Sequence, residues 1–113
     1  MSTVDTTLNL EGELRERDLF ELGEKLVRLM YRGSRRVVVD FSEVSHLDFR
    51  GLRPLEKQLE WIRKEGGDVK FCGLSSYLRA ILRAAGTHAA FECYEHEAAA
   101  RAAFVRASVV QTH

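Results

Sequence analysis

The chain has 113 residues, 45% of them apolar and 30% charged, which suits one domain with a buried core and an ordinary charged surface. Lys plus Arg and Asp plus Glu number 17 each, so the net charge is zero and exerts no long-range pull toward nucleic acid or an anionic membrane. The apolar runs are only a few residues long, against the ~20 needed to cross a bilayer. The opening MSTVDTTLNLEGE carries no secretory pattern, and Cys72 and Cys93 form no CxxC pair. The expectation is therefore a reduced, cytoplasmic protein that does not insert into membranes.

Thr3 to Leu10, with Val4, Thr6, Leu8 and Leu10 alternating, predicts a strand that Glu11–Leu14 either turns or continues. Asp18 to Arg32 predicts a helix: Leu19, Leu22, Leu26, Leu29 and Met30 form one stripe, and Gly33 ends it. Val37–Phe41 reads as a central strand covered on both faces. The next helix carries Leu52, Leu55, Leu59 and Ile62 inward, with Glu56, Lys57, Glu60, Arg63 and Lys64 outward, and stops at Gly66-Gly67. Pro54 lacks a backbone N–H and belongs in a first turn, so this helix should begin around Leu52 to Pro54, with a longer loop or a kinked turn over Asp48–Gly51.

Val69–Cys72 predicts a further strand. Ser75 or Ser76 caps a helix through Ala85, with Leu78, Ile81 and Leu82 inward. Phe91–Tyr94 is a last short strand, Glu95 to about Arg106 an alanine-rich helix, and residues 107–113 a frayed tail. Strands alternating with helices predict a single α/β domain, a four- to five-stranded, mostly parallel sheet with about four helices. One edge strand would be antiparallel if Glu13-Leu14 opens a hairpin.

In such sheets ligands gather at the carboxyl ends of the strands. The segment there is Ser42-Glu43-Val44-Ser45-His46-Leu47-Asp48-Phe49-Arg50-Gly51-Leu52. Ser45, His46 and Asp48 have the residue types of a hydrolase triad, but triad geometry needs groups that converge from separate segments. His46 and Asp48 lack third and fourth ligands for a metal. There is no Walker loop and no GxGxxG after a strand. No cofactor or metal is expected. His88 and His96 read as loop and surface residues, both cysteines as small core side chains, and Trp61 as a residue at the edge of its helix stripe.

The stretch VVVDFSEVSHLDFRGL resembles the hallmark of the STAS domain: an apolar strand, then an Asp, Ser, Val, Leu, Asp, Gly, Leu pattern matched by Asp40, Ser42, Val44, Leu47, Asp48, Gly51 and Leu52. EGGDVKFCGLSSYLRAILRAAG, FECYEHEAAARAAF and LNLEGELRERDLFELGEKL are similar to the family's other strands and helices. The resemblance implies a bacterial regulatory module, an anti-sigma factor antagonist, that binds a partner protein and is switched by phosphate on the hydroxyl residue before the motif glycine.

That residue here is Arg50, and Phe49 precedes it. Arginine cannot take the phosphate, nor does its positive charge imitate one. Either Arg50 anchors an acidic or phosphorylated partner with Phe49 beside it, or Arg50 is merely solvated and Phe49 tucks inward. Asp48 is a cap, an interface carboxylate, or a partner of Arg50 or Arg53; Ser42 and Ser45 are alternative hydroxyls that also suit turns. The expected partner-binding residues are Asp48, Phe49, Arg50, Gly51, Leu52 and Arg53, extended by Ser42, Ser45 and His46. The expected partner is another protein, either an anti-sigma-factor kinase or, on a second reading, the ATPase of a lipid ABC transporter. A homodimer is a further option, and an enzyme or nucleotide binder is a third class.

Overall fold

The computed structural model describes residues 4–111. The elements alternate: β1 (Thr6–Leu14), α1 (Glu16–Tyr31), β2 (Arg36–Leu47), a 3-10 turn (Phe49–Gly51), α2 (Leu52–Lys64), β3 (Asp68–Cys72), α3 (Ser76–Ala84), a second 3-10 turn (His88–Ala90), β4 (Glu92–Tyr94) and α4 (Glu97–Gln111). Among the described residues the sheet has four strands in the order β1-β2-β3-β4, every neighbouring pair parallel. No antiparallel edge forms among the described residues, because Glu11–Leu14 continues β1 beside β2 instead of turning.

Strand order that rises one step at a time, joined by crossovers of one hand, puts every crossover helix on the same face. The core follows that rule. Leu19, Leu22, Leu26 and Met30 of α1, Leu52, Leu55, Leu59 and Ile62 of α2, and Leu78 and Leu82 of α3 pack on Val37, Val39, Phe41, Val69 and Phe71. The opposite face has a small cluster of its own, in which Ala100 and Phe104 of α4 cover Val38 and Cys72. Arg101 of α4 ties this helix to Thr7 of β1.

The ends follow local chemistry. Asp18 Oδ2 accepts from Arg15 N at 2.9 Å and caps the start of α1, which therefore begins two residues before the expected Asp18. Gly33, at φ 90, closes its other end by donating to the Met30 carbonyl while Ser34 donates to Leu29. Ser75 Oγ accepts from Leu78 N at 3.2 Å and caps α3. Helix α4 runs to Gln111, past the expected end near Arg106; residues 112–113 of the expected tail lie outside the described residues.

Two outward assignments on α2 need correction. Arg63 is half-buried: Nε holds Asp68 at 2.8 Å, Nη2 the Val69 carbonyl at 2.9 Å, and Nη1 the Ala90 carbonyl. Glu56 lies beneath Arg53, its side chain 13% exposed. Beside this network Lys70, on the α4 face, is buried, bonded to Asp68 at 2.9 Å and Glu92 at 2.6 Å, and it lies 4.7 Å from the ring centre of Phe104. Burial disfavours its ammonium, but the two carboxylates outweigh that and raise its pKa.

Strand β2 is longer than the apolar run Val37–Phe41 suggested. Its pairing with β1 steps from Asn9↔Asp40 to Glu11↔Glu43, and from Gly12↔Val44 to Glu13↔His46. Each step spends one extra residue on β2, so two bulges bend the strand. Phe41, Val44 and Leu47 therefore face inward at a spacing of three, which period-two reading does not recognise as a strand.

Candidate functional site

The bent end of β2 delivers the chain to a 3-10 turn wedged against α1. Asp48 is extended, at φ −78 and ψ 113, and its N–H bonds the last carbonyl of β1, Leu14, at 2.9 Å. Its carboxylate caps the turn by accepting from Arg50 N at 3.0 Å. The same carboxylate receives the Arg50 side chain as a fork, Nε at 3.1 Å to Oδ1 and Nη2 at 2.7 Å to Oδ2. The Arg50 side chain and then its backbone N–H hold the Asp48 carboxyl down to about 2. Gly51 lies where α1 leaves no room: a Cβ there would stand 2.9 Å from Leu19 Cβ. Helix α2 then starts at Leu52, placing Pro54 within its first turn as the missing N–H demands.

The expected site residues divide into four groups. Phe49 and Arg50 face solvent, with Phe49 63% exposed, so Phe49 does not tuck inward. Arg53 is exposed too, bonded to Glu56 at 2.8 Å and to the Ala85 carbonyl at 3.2 Å. Asp48 lies half-buried beneath Arg50. Leu52 is wholly buried and Gly51 is packed on α1, so these two hold the turn in place and present no side chain to solvent. Ser42, Ser45 and His46 belong to β2, not to a loop: Ser42 N bonds Asp40 Oδ1 at 2.8 Å, and both serines are exposed.

His46 Nδ1 bonds the Tyr77 hydroxyl of α3 at 2.6 Å, and the rings stack with centres 5.8 Å apart. Asp48 and His46 are thus each engaged by a different neighbour, Arg50 and Tyr77, and not arranged as a relay. Among the described residues no group of three or more His, Cys, Asp or Glu is placed to hold a metal ion, and no helix is long and apolar enough to cross a membrane. Cys72 is buried, Cys93 half-buried, and both are free thiols. Trp61 is half-buried against Tyr31, ring centres 5.9 Å apart. His88 opens the second 3-10 turn, exposed; His96 accepts from Ala99 N at the start of α4.

Two mainly apolar clefts flank the turn. One, of about 400 Å³, is lined by His46, Leu47, Asp48, Phe49, Ile81 and Ala84. The other, of about 390 Å³, is lined by Glu16, Arg17, Phe20, Gly51 and Pro54. Sequence reasoning missed Phe20 and Tyr77, which are 51% and 55% exposed. The signal was present: each is an aromatic beside an inward leucine, Leu19 and Leu78, where the helical period calls for a polar residue.

Comparison with known proteins gives a consistent picture. Residues 1–91 match the family model described as "Mlab, STAS domain". The chain is 26% identical over 95 residues to BtrV of Bordetella bronchiseptica, which carries the name of an anti-sigma factor antagonist; the match covers 84% of this chain and 82% of that protein. The fold is similar to unphosphorylated SpoIIAA, an anti-sigma factor antagonist, at a TM-score of 0.66 and 17% identity, covering 94% of each chain. It is equally similar to the STAS domain of a SulP transporter from Vibrio cholerae, TM-score 0.66 and 22% identity, covering 96% of this chain and 88% of that one.

Proposed function

The chain belongs to the STAS-domain family, and from that premise we propose that it is a non-enzymatic docking module of the bacterial cytoplasm, like an anti-sigma factor antagonist but without the phosphate switch. The observation that carries the reading is the exposed Phe49–Arg50 pair on a turn held rigid by Asp48. Where the family pattern has a hydroxyl, this turn presents a guanidinium. A kinase has no acceptor there, and adding a phosphate at that place would require a different residue.

The partner-binding residues on this reading are Phe49, Arg50 and Arg53 at the surface, with Asp48, Gly51 and Leu52 holding them in place. Ser42, Ser45 and His46 lie further along β2. The test is co-purification of partners by tagged wild type and Arg50→Glu from the source cell, with mass spectrometry of the module itself. Reversed charge should abolish the interaction, and the module should carry no phosphate at residues 48–52. Unchanged capture of every partner, or phosphate on Ser42 or Ser45 that varies with partner release, would overturn the reading. Calorimetry with ATP and GTP should give no heat of binding.

A second reading is favoured by the absence of the hydroxyl. A site that cannot be toggled suits permanent assembly, as in an accessory subunit docked on the ATPase of a lipid transporter. On that reading the tagged module leaves the cell in a detergent-solubilised membrane complex and not with a soluble kinase.

A further inference from the structure

The ion pairs around the turn are lopsided. In the Arg50–Asp48 pair the arginine side chain is 65% exposed and the carboxylate 20%; in the Arg53–Glu56 pair the values are 60% and 13%. Each carboxylate lies underneath, with its guanidinium outward. Arg50 commits its Nε–H and one Nη2–H to Asp48, so more than half of its five donors stay free to point away from the protein. The formal charges cancel, yet in both pairs the guanidinium is the outer group, and in the adjoining cleft the exposed Glu16 is offset by the exposed Arg17.

The turn is framed by aromatic surface. The exposed large apolar side chains among the described residues are Phe20, Tyr31, Phe49, Tyr77 and Val105. Phe20 lines the cleft against α1, Phe49 lines the cleft against α3, and Tyr77 leans on His46 at the edge of the second. The two clefts meet at the turn, one using Asp48 and Phe49, the other Gly51 and Pro54.

Resting on the docking role proposed above, we infer that the interface spans both clefts, from Phe20 on α1 to Tyr77 on α3, and that its occupant is a partner-protein segment carrying apolar side chains flanked by carboxylates. Apolar side chains of the partner fill the clefts on either side of the turn. Its carboxylates take the outward N–H groups of Arg50 and Arg53 as charge-assisted bonds. A basic segment would meet like charge and is rejected.

Photo-crosslinking tests this in the source cell. Benzoylphenylalanine is placed singly at Phe20, Phe49, Tyr77, Tyr31 and Val105, and the crosslinked peptides are sequenced by mass spectrometry. Positions 20, 49 and 77 should trap one and the same partner, through a segment whose apolar residues are interspersed with Asp and Glu. Positions 31 and 105 should not trap it. The double variant Arg50→Glu, Arg53→Glu should cut the yield at position 20 by about tenfold or more. All five sites are exposed, and a thermal melt of each variant should match wild type.

A crosslink from position 49 without positions 20 and 77 overturns this inference and leaves the docking role standing. Silence at all three overturns both. A trapped segment rich in Lys and Arg, a second copy of this chain, or lipid overturns the stated partner chemistry.

Discussion

Gly51→Ala tests how the site is seated. The backbone at Gly51, φ −86 and ψ −7, is open to alanine, so no strain of the main chain is involved. The obstacle is space. The new Cβ would stand 2.9 Å from both Cβ and Cδ1 of Leu19 and 3.3 Å from Glu16 Cα, whereas carbons pack at about 3.5–4.0 Å. Leu19 is wholly buried in the main core and cannot retreat, so the turn must lift from α1. Overpacking of this kind costs about 1–3 kcal/mol, offset by about 0.4–1 kcal/mol from stiffening the unfolded chain, which leaves a loss of about 1–2 kcal/mol.

With an unfolding entropy of about 2.1 cal/mol/K per residue, a 113-residue domain loses about 4 °C of melting temperature per kcal/mol, so Tm should fall by about 4–8 °C. Calorimetry measures it directly. Gly23→Ala is the control. Its Cβ would run into the end of the Gln58 side chain, whose Oε1 is buried without a hydrogen-bond partner and gains one by swinging out to water. Alanine in mid-helix also adds about 1 kcal/mol, so Gly23→Ala should melt no lower than wild type. Gly51→Ala melting within a degree of wild type, or Gly23→Ala falling as far as Gly51→Ala, refutes the packing argument.

Further outcomes follow from the charges and thiols. The Asp48 carboxyl, at about 2 when folded against an ordinary 3.8, contributes stability that is present above about pH 4 and lost as pH falls through about 2. Arg50→Met should move the midpoint of the Asp48 carboxyl ¹³C titration upward toward 3.8, and no movement would separate the fork from the shift. Lys70→Met keeps the packing on Phe104 but leaves Asp68 and Glu92 with Arg63 in place of two cations. It should cost about 1–2 kcal/mol at pH 7, less than a fully buried pair because both carboxylates reach water; urea titration reads it. Burial pushes the Cys72 thiol up to about 11, so at pH 8 its alkylation should be at least about a hundredfold slower in the folded protein than in urea, by quenched mass spectrometry.

Much of this architecture was legible in the residues. The α1 stripe of Leu19, Leu22, Leu26 and Met30 is buried, Gly33 and Ser75 end and begin helices through their ordinary preferences, and Pro54 located the start of α2. The length of β2 was not legible, because two bulges turn its inward period from two to three and polar Ser42, Ser45 and His46 look like a loop. Arg63 and Glu56 read as solvent-facing because a charged residue beside an apolar stripe gives no hint that Asp68, Val69 and Ala90, or Arg53, will cover it. At the site, the motif located the turn, but which of its residues face outward depended on how closely Gly51 approaches α1. The outer aromatics Phe20 and Tyr77 come from other segments, and only the fold brings them alongside.

The one-sided placement of α1, α2 and α3 has a consequence for the order in which the protein matures during synthesis. A chain emerging N-terminus first can close most of its principal core once the residues up to Phe91 have emerged, since the buried members of that layer end there. The reverse side must wait for the residues after Glu97, so Val38 and Cys72 stay wet longest. The Phe49–Gly51 turn lies wholly within the early-closing half, and its shape is complete before the last helix arrives.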